Sequence, residues 1–346
     1  MNPNRSQKSI WVTGKGANMA ELRLQTTDAG VIASSEFTLG ELDEAVKGKG
    51  TAWLDILKPD DEVKDWLETI GIDELAVEDI FGHASDTVQR FQDHRFIVVR
   101  ARDADNRLDT EPVAIILRDD LMITVRGTRI PALDVFRRRL KTADADEIAI
   151  GVDFLLYELL DSIADDWTPI LSEYSNRLDD LEYQVFDPSK SYEGLLEGLH
   201  DLKRLLREAS KSIESLQSAC LRLLKPGERL INESSLAFFT DLQQLANTLV
   251  KRCSAYSAGA TSTRDTYLSH VSMDLALSNA KLTEVMTTLT IIGAIMLPLT
   301  LIAGIFGMNT KLPAQLDELG GFWTIMGGMT LFSIMMLSWF RRKKWI

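Results

Sequence analysis

A few uncharged polar residues within an apolar segment, rather than a catalytic cluster, carry the chemistry that this sequence suggests. The tripeptide Gly307-Met308-Asn309 closes a stretch that begins at Met286 and contains no charged residue. Steps of three and four residues through this stretch define one uncharged, mildly polar helix face. Its members are Thr283, Met286, Leu289, Gly293, Leu297 and Thr300.

This face has two interpretations. A single protomer with two spans cannot enclose a water path, so the face lines a pore only if several copies pack side by side. Alternatively, Gly293, Gly304 and Thr300 allow close helix packing, as small residues do in membranes. An enzyme is disfavoured, because no nucleophile–base pair appears and the four histidines do not follow metal-ligand spacing.

Two stretches are long enough to cross a membrane. Residues 286–309 and 320–340 carry no charge, and a helix needs about 20 such residues to span the hydrocarbon core. The second stretch is followed directly by Arg341, Arg342, Lys343 and Lys344. By the positive-inside rule the C-terminus is cytoplasmic, and with two spans so is the N-terminus. We therefore expect a multi-pass protein of the plasma (inner) membrane, with the lipid bilayer as a partner.

The charge balance narrows the possible partners. The formal net charge of −13 argues against nucleic acid, whose phosphates require a basic surface. It is compatible with cations as partners, although we interpret most of the acidic residues as solvated helix faces. Cys220 and Cys253 fall in helical patterns without a pairing partner, as in a reducing compartment. The first residues lack the apolar core of a secretory signal.

The periodicity predicts a cytoplasmic α/β domain followed by a long helical stalk and two transmembrane helices. The predicted parts are the α/β domain over residues 1–150, a helical hairpin and stalk over 151–284, and a pore domain over 285–346. In the pore domain we place the first span at about 286–307, the outer loop at 308–319 and the second span at about 320–340. A continuous helix from about Ser235 to Phe306 would be about 105 Å long.

Local patterns predict the elements of the first two parts. Predicted strands are Ile10–Val12, Trp53–Ile56, Phe96–Ala101, Val113–Leu117 and Leu121–Val125, the last two as a hairpin. Predicted helices are Asp60–Thr69, Asp73–Phe81 and two antiparallel helices separated at Pro188-Ser189.

Several segments resemble the CorA family of magnesium channels, part of the two-span superfamily marked by the Gly-Met-Asn motif. The family's pore helix is similar to Thr283–Met286, Leu289–Ile292, Leu297–Thr300 and Ile302–Asn309. The basic-Trp-apolar ending Phe340–Ile346 and the upstream segments Trp53–Ile56, Ala76–Ile80 and Phe96–Val99 match as well. At the outer end of the first of two terminal spans, the tripeptide is highly specific.

The resemblance implies a funnel-shaped homopentamer in which five first spans line the pore. Gly307, Met308 and Asn309 would form the selectivity filter for Mg²⁺, with Co²⁺ and Ni²⁺ as further cargo. Mg²⁺ dehydrates reluctantly, and a ring of amide oxygens can bind its water shell. Of the stripe, Met286, Leu289 and Leu297 would form hydrophobic constrictions, and Thr283 and Thr300 polar rings. The membrane potential would drive influx, and no cofactor is implied.

Three further groups have two interpretations each. Asp317 and Glu318 of the outer loop would attract cations weakly, or are simply solvated. Glu78 and Asp79 would hold half of a regulatory Mg²⁺ site, or form an exposed helix face, since the stalk offers no acid between Asp241 and Asp265. The cluster from Arg341 to Lys344 would form a cationic ring, or serve topology and lipid headgroup contact.

Two alternative functions are open. One is a Zn²⁺ transporter of the related ZntB branch, and the other is a membrane-anchored sensor or structural oligomer that conducts nothing. Thr283 stands where the CorA family often has Asn, Leu297 where it has Met, and Ala314 where the loop often has Glu. These departures leave transport possible but bear on ion preference, and ion flux separates the alternatives.

Overall fold

The strands lie in the first part of the chain together with two short helices, and long helices fill its second half. The computed structural model describes residues 21–28, 31–34, 51–82, 86–105, 109–118, 120–140, 151–186, 194–225, 231–308, 319–343 and 345. The strands are β1 Glu21–Asp28, β2 Val31–Ser34, β3 Ala52–Leu57, β4 Thr87–Arg90, β5 Arg95–Arg102, β6 Thr110–Arg118 and β7 Leu121–Arg126. The helices are α1 Asp61–Thr69, α2 Glu74–Phe81, α3 Pro131–Leu140, α4 Val152–Phe186, α5 Leu195–Leu223, α6 Leu236–Phe306 and α7 Leu319–Arg342, with a 3-10 turn at Glu233–Ser235. The strand predicted at 10–12 and the helix break predicted at 188–189 lie outside the described residues.

The strands form one mixed sheet in the order β2-β1-β3-β7-β6-β5-β4. The central neighbours β3 and β7 run parallel, and the other pairs run antiparallel. Every residue of β3 is buried, as expected for a strand covered on both faces. The predicted β6–β7 hairpin is confirmed, with Arg118 opposite Leu121. The other predicted strands within the described residues are confirmed as β3 and β5.

The helices α1 and α2 begin at aspartate caps. The Asp60 carboxylate accepts a hydrogen bond from the Val63 N–H at 3.1 Å, and Asp73 accepts one from the Leu75 N–H at 3.0 Å. Each cap satisfies a backbone donor that the first turn leaves unpaired. The buried residues of these helices pack in the sheet's core cluster; they are Val63, Leu67, Ala76 and Val77. Both helices agree with the sequence prediction.

Two serines of α5 cover an open edge of the sheet. The pairing of β4 with β5 ends at Val98, so the backbone of Arg100 lies beyond it. The Arg100 N–H donates to Ser215 Oγ at 3.1 Å, and the Ser212 hydroxyl donates to the Arg100 carbonyl at 2.6 Å. An unpaired strand edge is costly when it is buried, and these hydroxyls replace the missing strand.

Several acidic residues of α4 form ion pairs, whereas we expected most acidic residues to lie on solvated helix faces. Arg102 forms a two-pronged pair with Asp166, at 2.8 and 2.9 Å, and Arg95 pairs with Asp153 at 2.8 Å. Arg139 of α3 contacts three further carboxylates of α4, those of Glu158, Asp161 and Asp165. These acids therefore join the helix to β5 and α3, and the three arginines compensate part of their charge.

One buried carboxylate organises the centre of the sheet. Asp55 of β3 accepts hydrogen bonds from Arg126 at 2.8 and 3.0 Å, from Arg137 at 2.9 Å and from Thr124 at 3.0 Å. Arg137 also lies over the Trp53 ring, 5.2 Å from its centroid. Burial by itself raises the pKa of Asp55, but the hydrogen bonds and charges of Arg126 and Arg137 outweigh it and hold that pKa below its ordinary value.

The helix α6 runs unbroken for 71 residues, which confirms the predicted continuous helix. Residues 233–306, which include α6, and residues 321–342 of α7 are the described helical segments long and apolar enough to cross a membrane. By its internal contacts the chain divides into two units, Met1–Arg264 and Asp265–Ile346, and α6 takes part in both. The predicted domain boundaries at residues 150 and 284 stay predictions.

We predict that Asp55→Asn lowers the free energy of unfolding by about 3–5 kcal/mol, since it leaves two buried guanidinium groups without their shared charge. The measurement is urea unfolding of the full-length protein in detergent, followed by tryptophan fluorescence. Because the folded pKa of Asp55 is depressed, its stabilisation is complete above about pH 4, the unfolded pKa, and disappears as pH falls through the folded value. Glu68→Gln, at an exposed position, is the matched control. Equal unfolding midpoints for both variants would contradict this role.

Candidate functional site

The predicted pore-facing residues share the uncovered side of α6. Leu289 is 69% exposed, Leu297 is 72% exposed, and the other four members of the stripe are exposed as well. The better covered positions lie elsewhere on the helix; among them are Ile291, which is 8% exposed, and the partly covered Ile295, Pro298 and Ile302. At about 100° per residue, these two sets are centred about 155° apart. One chain therefore leaves the uncharged stripe free for another partner.

The threonines of this stripe point their hydroxyl protons back into the helix. The Thr283 hydroxyl donates to the Asn279 carbonyl at 2.8 Å, and the Thr300 hydroxyl donates to the Met296 carbonyl at 2.8 Å. A hydroxyl has one proton and two lone pairs. With the proton committed to the backbone, each threonine presents acceptor oxygen to its surroundings. Water bound to a cation is a hydrogen-bond donor, so these oxygens suit a hydrated cation.

Gly307 follows the last residue of the helix, at a position where a side chain would be crowded. The helix stops at Phe306, while the Gly307 N–H still donates to the Ala303 carbonyl at 2.9 Å. A Cβ at position 307 would lie 3.0 Å from that same carbonyl oxygen, and the backbone φ is not in the left-handed region. Glycine at this position therefore allows the close approach of the Ala303 carbonyl. Met308 follows and is 60% exposed.

Three predicted site residues in the loop, Asn309, Asp317 and Glu318, lie outside the described residues, and their roles stay predictions. Lys344 also lies outside the described residues, and its role stays a prediction. The described cations of the tail, Arg341, Arg342 and Lys343, are all exposed at the end of α7.

The predicted regulatory acids lie on the outer face of α2. Glu78 is exposed and Asp79 is half-buried, while their neighbours Ala76 and Val77 face the core. Within the described ranges, no group of three or more acidic, histidine or cysteine side chains is placed to hold a metal ion. A regulatory site at these two residues stays a prediction that needs ligands from elsewhere.

The orientation of the threonine hydroxyls is the feature that sequence reasoning missed. The pattern identified Thr283 and Thr300 as polar positions but did not show which part of the hydroxyl is free. A signal was present, because threonine in a helix commonly bonds the carbonyl four residues earlier. The same bond occurs at Thr288 and Thr290.

Comparison with known proteins assigns the chain to a family. The family model described as "CorA-like Mg2+ transporter protein" matches residues 48–342, most of the chain. The chain belongs to the CorA-like Mg²⁺ transporter family. The resemblance noted in the sequence is thereby confirmed. A relative, the cobalt/magnesium transport protein CorA of Thermotoga maritima, is 30% identical over 284 residues, covering 81% of this chain and 78% of that protein.

Solved structures share the fold of this CorA-family chain. The complete structure of the CorA magnesium transporter from Methanocaldococcus jannaschii matches with a TM-score of 0.67 at 22% identity, covering 94% of this chain and 98% of that one. The cytoplasmic domain of ZntB from Vibrio parahaemolyticus matches with a TM-score of 0.60 at 12% identity, covering 72% of this chain and 98% of that one. The CorA and ZntB branches therefore share this fold, so the fold alone does not show whether Mg²⁺ or Zn²⁺ is the preferred ion.

We predict that Thr300→Val lowers Mg²⁺ uptake into proteoliposomes about tenfold, because valine keeps the shape but removes an acceptor worth about 1 kcal/mol or more. Thr300→Ser keeps the acceptor and should retain most of the uptake. The control is Thr288→Val, which removes a hydroxyl bonded in the same way to Glu284 at 3.0 Å but on the other side of the helix. Equal losses at positions 288 and 300 would exclude a special role for the stripe.

Proposed function

We propose that this CorA-family protein is a channel that carries hydrated Mg²⁺ into the cytoplasm, with Co²⁺ and Ni²⁺ as further cargo. The observation that carries the proposal is the uncovered, uncharged face of α6, on which the oxygens of two threonines flank a series of apolar side chains. Such a face offers acceptors to the water shell of an ion without binding the ion tightly. A transporter needs this balance, since cargo that binds too strongly does not leave.

The proposed assembly is a homopentamer in which five copies of α6 surround the pore. Met286, Leu289 and Leu297 are between 60% and 72% exposed in a single chain. Placed around a common axis, they would form apolar rings that gate by losing water, between the threonine rings at Thr283 and Thr300. Gly293 leaves a wider section between the apolar rings because it has no side chain.

The proposed filter is Gly307, Met308 and Asn309 at the outer mouth. The helix ends immediately before Gly307, so the residues that follow can face the entrance. A ring of Asn309 amide oxygens would accept hydrogen bonds from the hydration water of Mg²⁺ and would carry no net charge. In this arrangement Asp317 and Glu318 add a weak attraction for cations near the mouth.

The proposed location is the plasma (inner) membrane, with both termini in the cytoplasm. The supporting observation is the cationic end of α7, which the positive-inside rule assigns to the cytoplasmic side. The membrane potential supplies about 2.3 kcal/mol per charge per 100 mV, hence about 4.6 kcal/mol for a divalent ion. This energy is sufficient for influx without ATP.

We predict that Asn309→Ala abolishes most Mg²⁺ influx into proteoliposomes under an imposed potential, because the ring loses its amide oxygens. Asn309→Gln keeps the amide and should retain part of the flux. The assay uses a Mg²⁺-sensitive dye inside the vesicles, with Zn²⁺ tested in parallel.

Each result of this assay has a distinct meaning. Unchanged flux in Asn309→Ala would contradict the proposed filter. Entry of Zn²⁺ without Mg²⁺ in the wild type would favour the ZntB-like alternative. If neither ion moved, the result would favour the alternative of a sensor or structural oligomer that conducts nothing.

We predict that Leu289→Cys, but not Ile291→Cys, forms covalent dimers with a short bis-maleimide in membranes. Leu289 is 69% exposed on the proposed inter-subunit face, whereas Ile291 is 8% exposed within one chain. The native thiols need no removal, because Cys220 and Cys253 are buried and burial raises the pKa of each to about 12. A denaturing gel reads the result, and equal cross-linking at both positions would argue against the assembly.

A further inference from the structure

The end of α7 folds its last described residue back onto the helix. The Trp345 N–H donates to the Phe340 carbonyl at 3.1 Å, and the Lys343 N–H donates to the Trp339 carbonyl at 3.0 Å. The Trp345 and Phe340 rings stack with centroids 5.6 Å apart and an interplanar angle of 19°. A bond from the sixth residue to the first, with an apolar contact between the same two residues, is the signature of a Schellman helix end. It holds Trp345 in a defined place.

The fold-back builds an aromatic cluster with a covered centre and open flanks. Trp339 lies 5.2 Å from Phe340 and 6.4 Å from Trp345, measured between ring centroids. Phe340 is 2% exposed, whereas Trp339 and Trp345 are about half exposed, at 49% and 48%. Half-exposed tryptophans have an apolar ring and an N–H donor, which suits the level of lipid headgroups.

Cations surround this cluster. Arg341, Arg342 and Lys343 are exposed, and none of them forms an ion pair with a described carboxylate. Arg341 and Arg342 occupy the last turn of the helix and Lys343 follows it, so their charge complements the negative end of the helix dipole. These three cations lie beside two half-exposed indoles and form a surface that is both apolar and positive, and no described carboxylate pairs with it.

We propose that this surface, defined by Trp339, Arg341, Arg342, Lys343 and Trp345, binds the headgroups of anionic phospholipids. Arginine forks match phosphate oxygens in pairs, and the indoles anchor at the acyl–headgroup boundary. The cytoplasmic leaflet is the anionic one, which agrees with the orientation proposed above. The inference rests on insertion of α7 with its C-terminal end in the cytoplasm, and does not require that the protein conducts ions.

The test is the number of lipids that the full-length protein retains on purification from mixed vesicles of phosphatidylglycerol and phosphatidylcholine. Native mass spectrometry counts them. We expect the wild type to retain phosphatidylglycerol in several-fold excess, and the triple variant R341Q/R342Q/K343Q to lose that excess. The control triple R207Q/K251Q/R252Q removes the same charge from exposed positions on α5 and α6, and should keep the excess.

Two further variants separate charge from geometry. R341K/R342K keeps the charge and should retain part of the preference, and it remains informative if the glutamine variant does not fold. Trp345→Ala should weaken retention because it removes the stacked ring, while Trp345→Phe should preserve it.

Equal retention of the two lipids by the wild type would overturn the proposal, as would equal losses in the two triple variants. Because lipids are counted, a failure of Mg²⁺ flux leaves this result unaffected.

Discussion

The backbone hydrogen-bond ladder of α6, which lacks an N–H donor at Pro298, is the constraint on which the rest of the structure depends. A helix satisfies its own backbone groups, so a face of it can remain uncovered in lipid or between copies without an unpaired donor. The hydroxyl protons of Thr283 and Thr300 are also satisfied within the helix, since each donates to the carbonyl four residues earlier. What the helix shows outward is therefore apolar surface and acceptor oxygen. Chemistry on this face is limited to weak contacts with the water shell of an ion.

In the first unit of the chain, many charged side chains form ion pairs with one another. Asp55 pairs with the two guanidinium groups of Arg126 and Arg137, and Arg139 joins α3 to several carboxylates of α4. An acidic composition thus overstates the number of carboxylates available to cations. Glu78 and Asp79 alone make a poor metal site because they are only two acids on one helix surface. The described residues offer no third ligand beside them.

Apolar runs and helical periodicity made most of the fold predictable. The continuous apolar runs in β6 and β7 and the absence of proline from 227 to 297 each express a local physical preference. The hydrogen bonds between α5 and Arg100 could not be predicted from the sequence, because Ser215 and Arg100 are 115 residues apart and no local pattern links them. Likewise, the stripe on α6 was visible from spacing, but the direction of its hydroxyl protons and the steric role of Gly307 needed coordinates.

Neutral acceptors in the proposed pore follow from the energy available. A ring of carboxylates would bind a divalent ion strongly in a low-dielectric passage, where Coulomb attraction is large. The potential contributes only about 4.6 kcal/mol per 100 mV to a divalent ion over the whole membrane, so a deep binding well would hold the ion in place. Amide and hydroxyl oxygens bind the hydration shell with a fraction of that strength. The lack of charge from Met286 to Asn309 is then a condition for release as well as for entry.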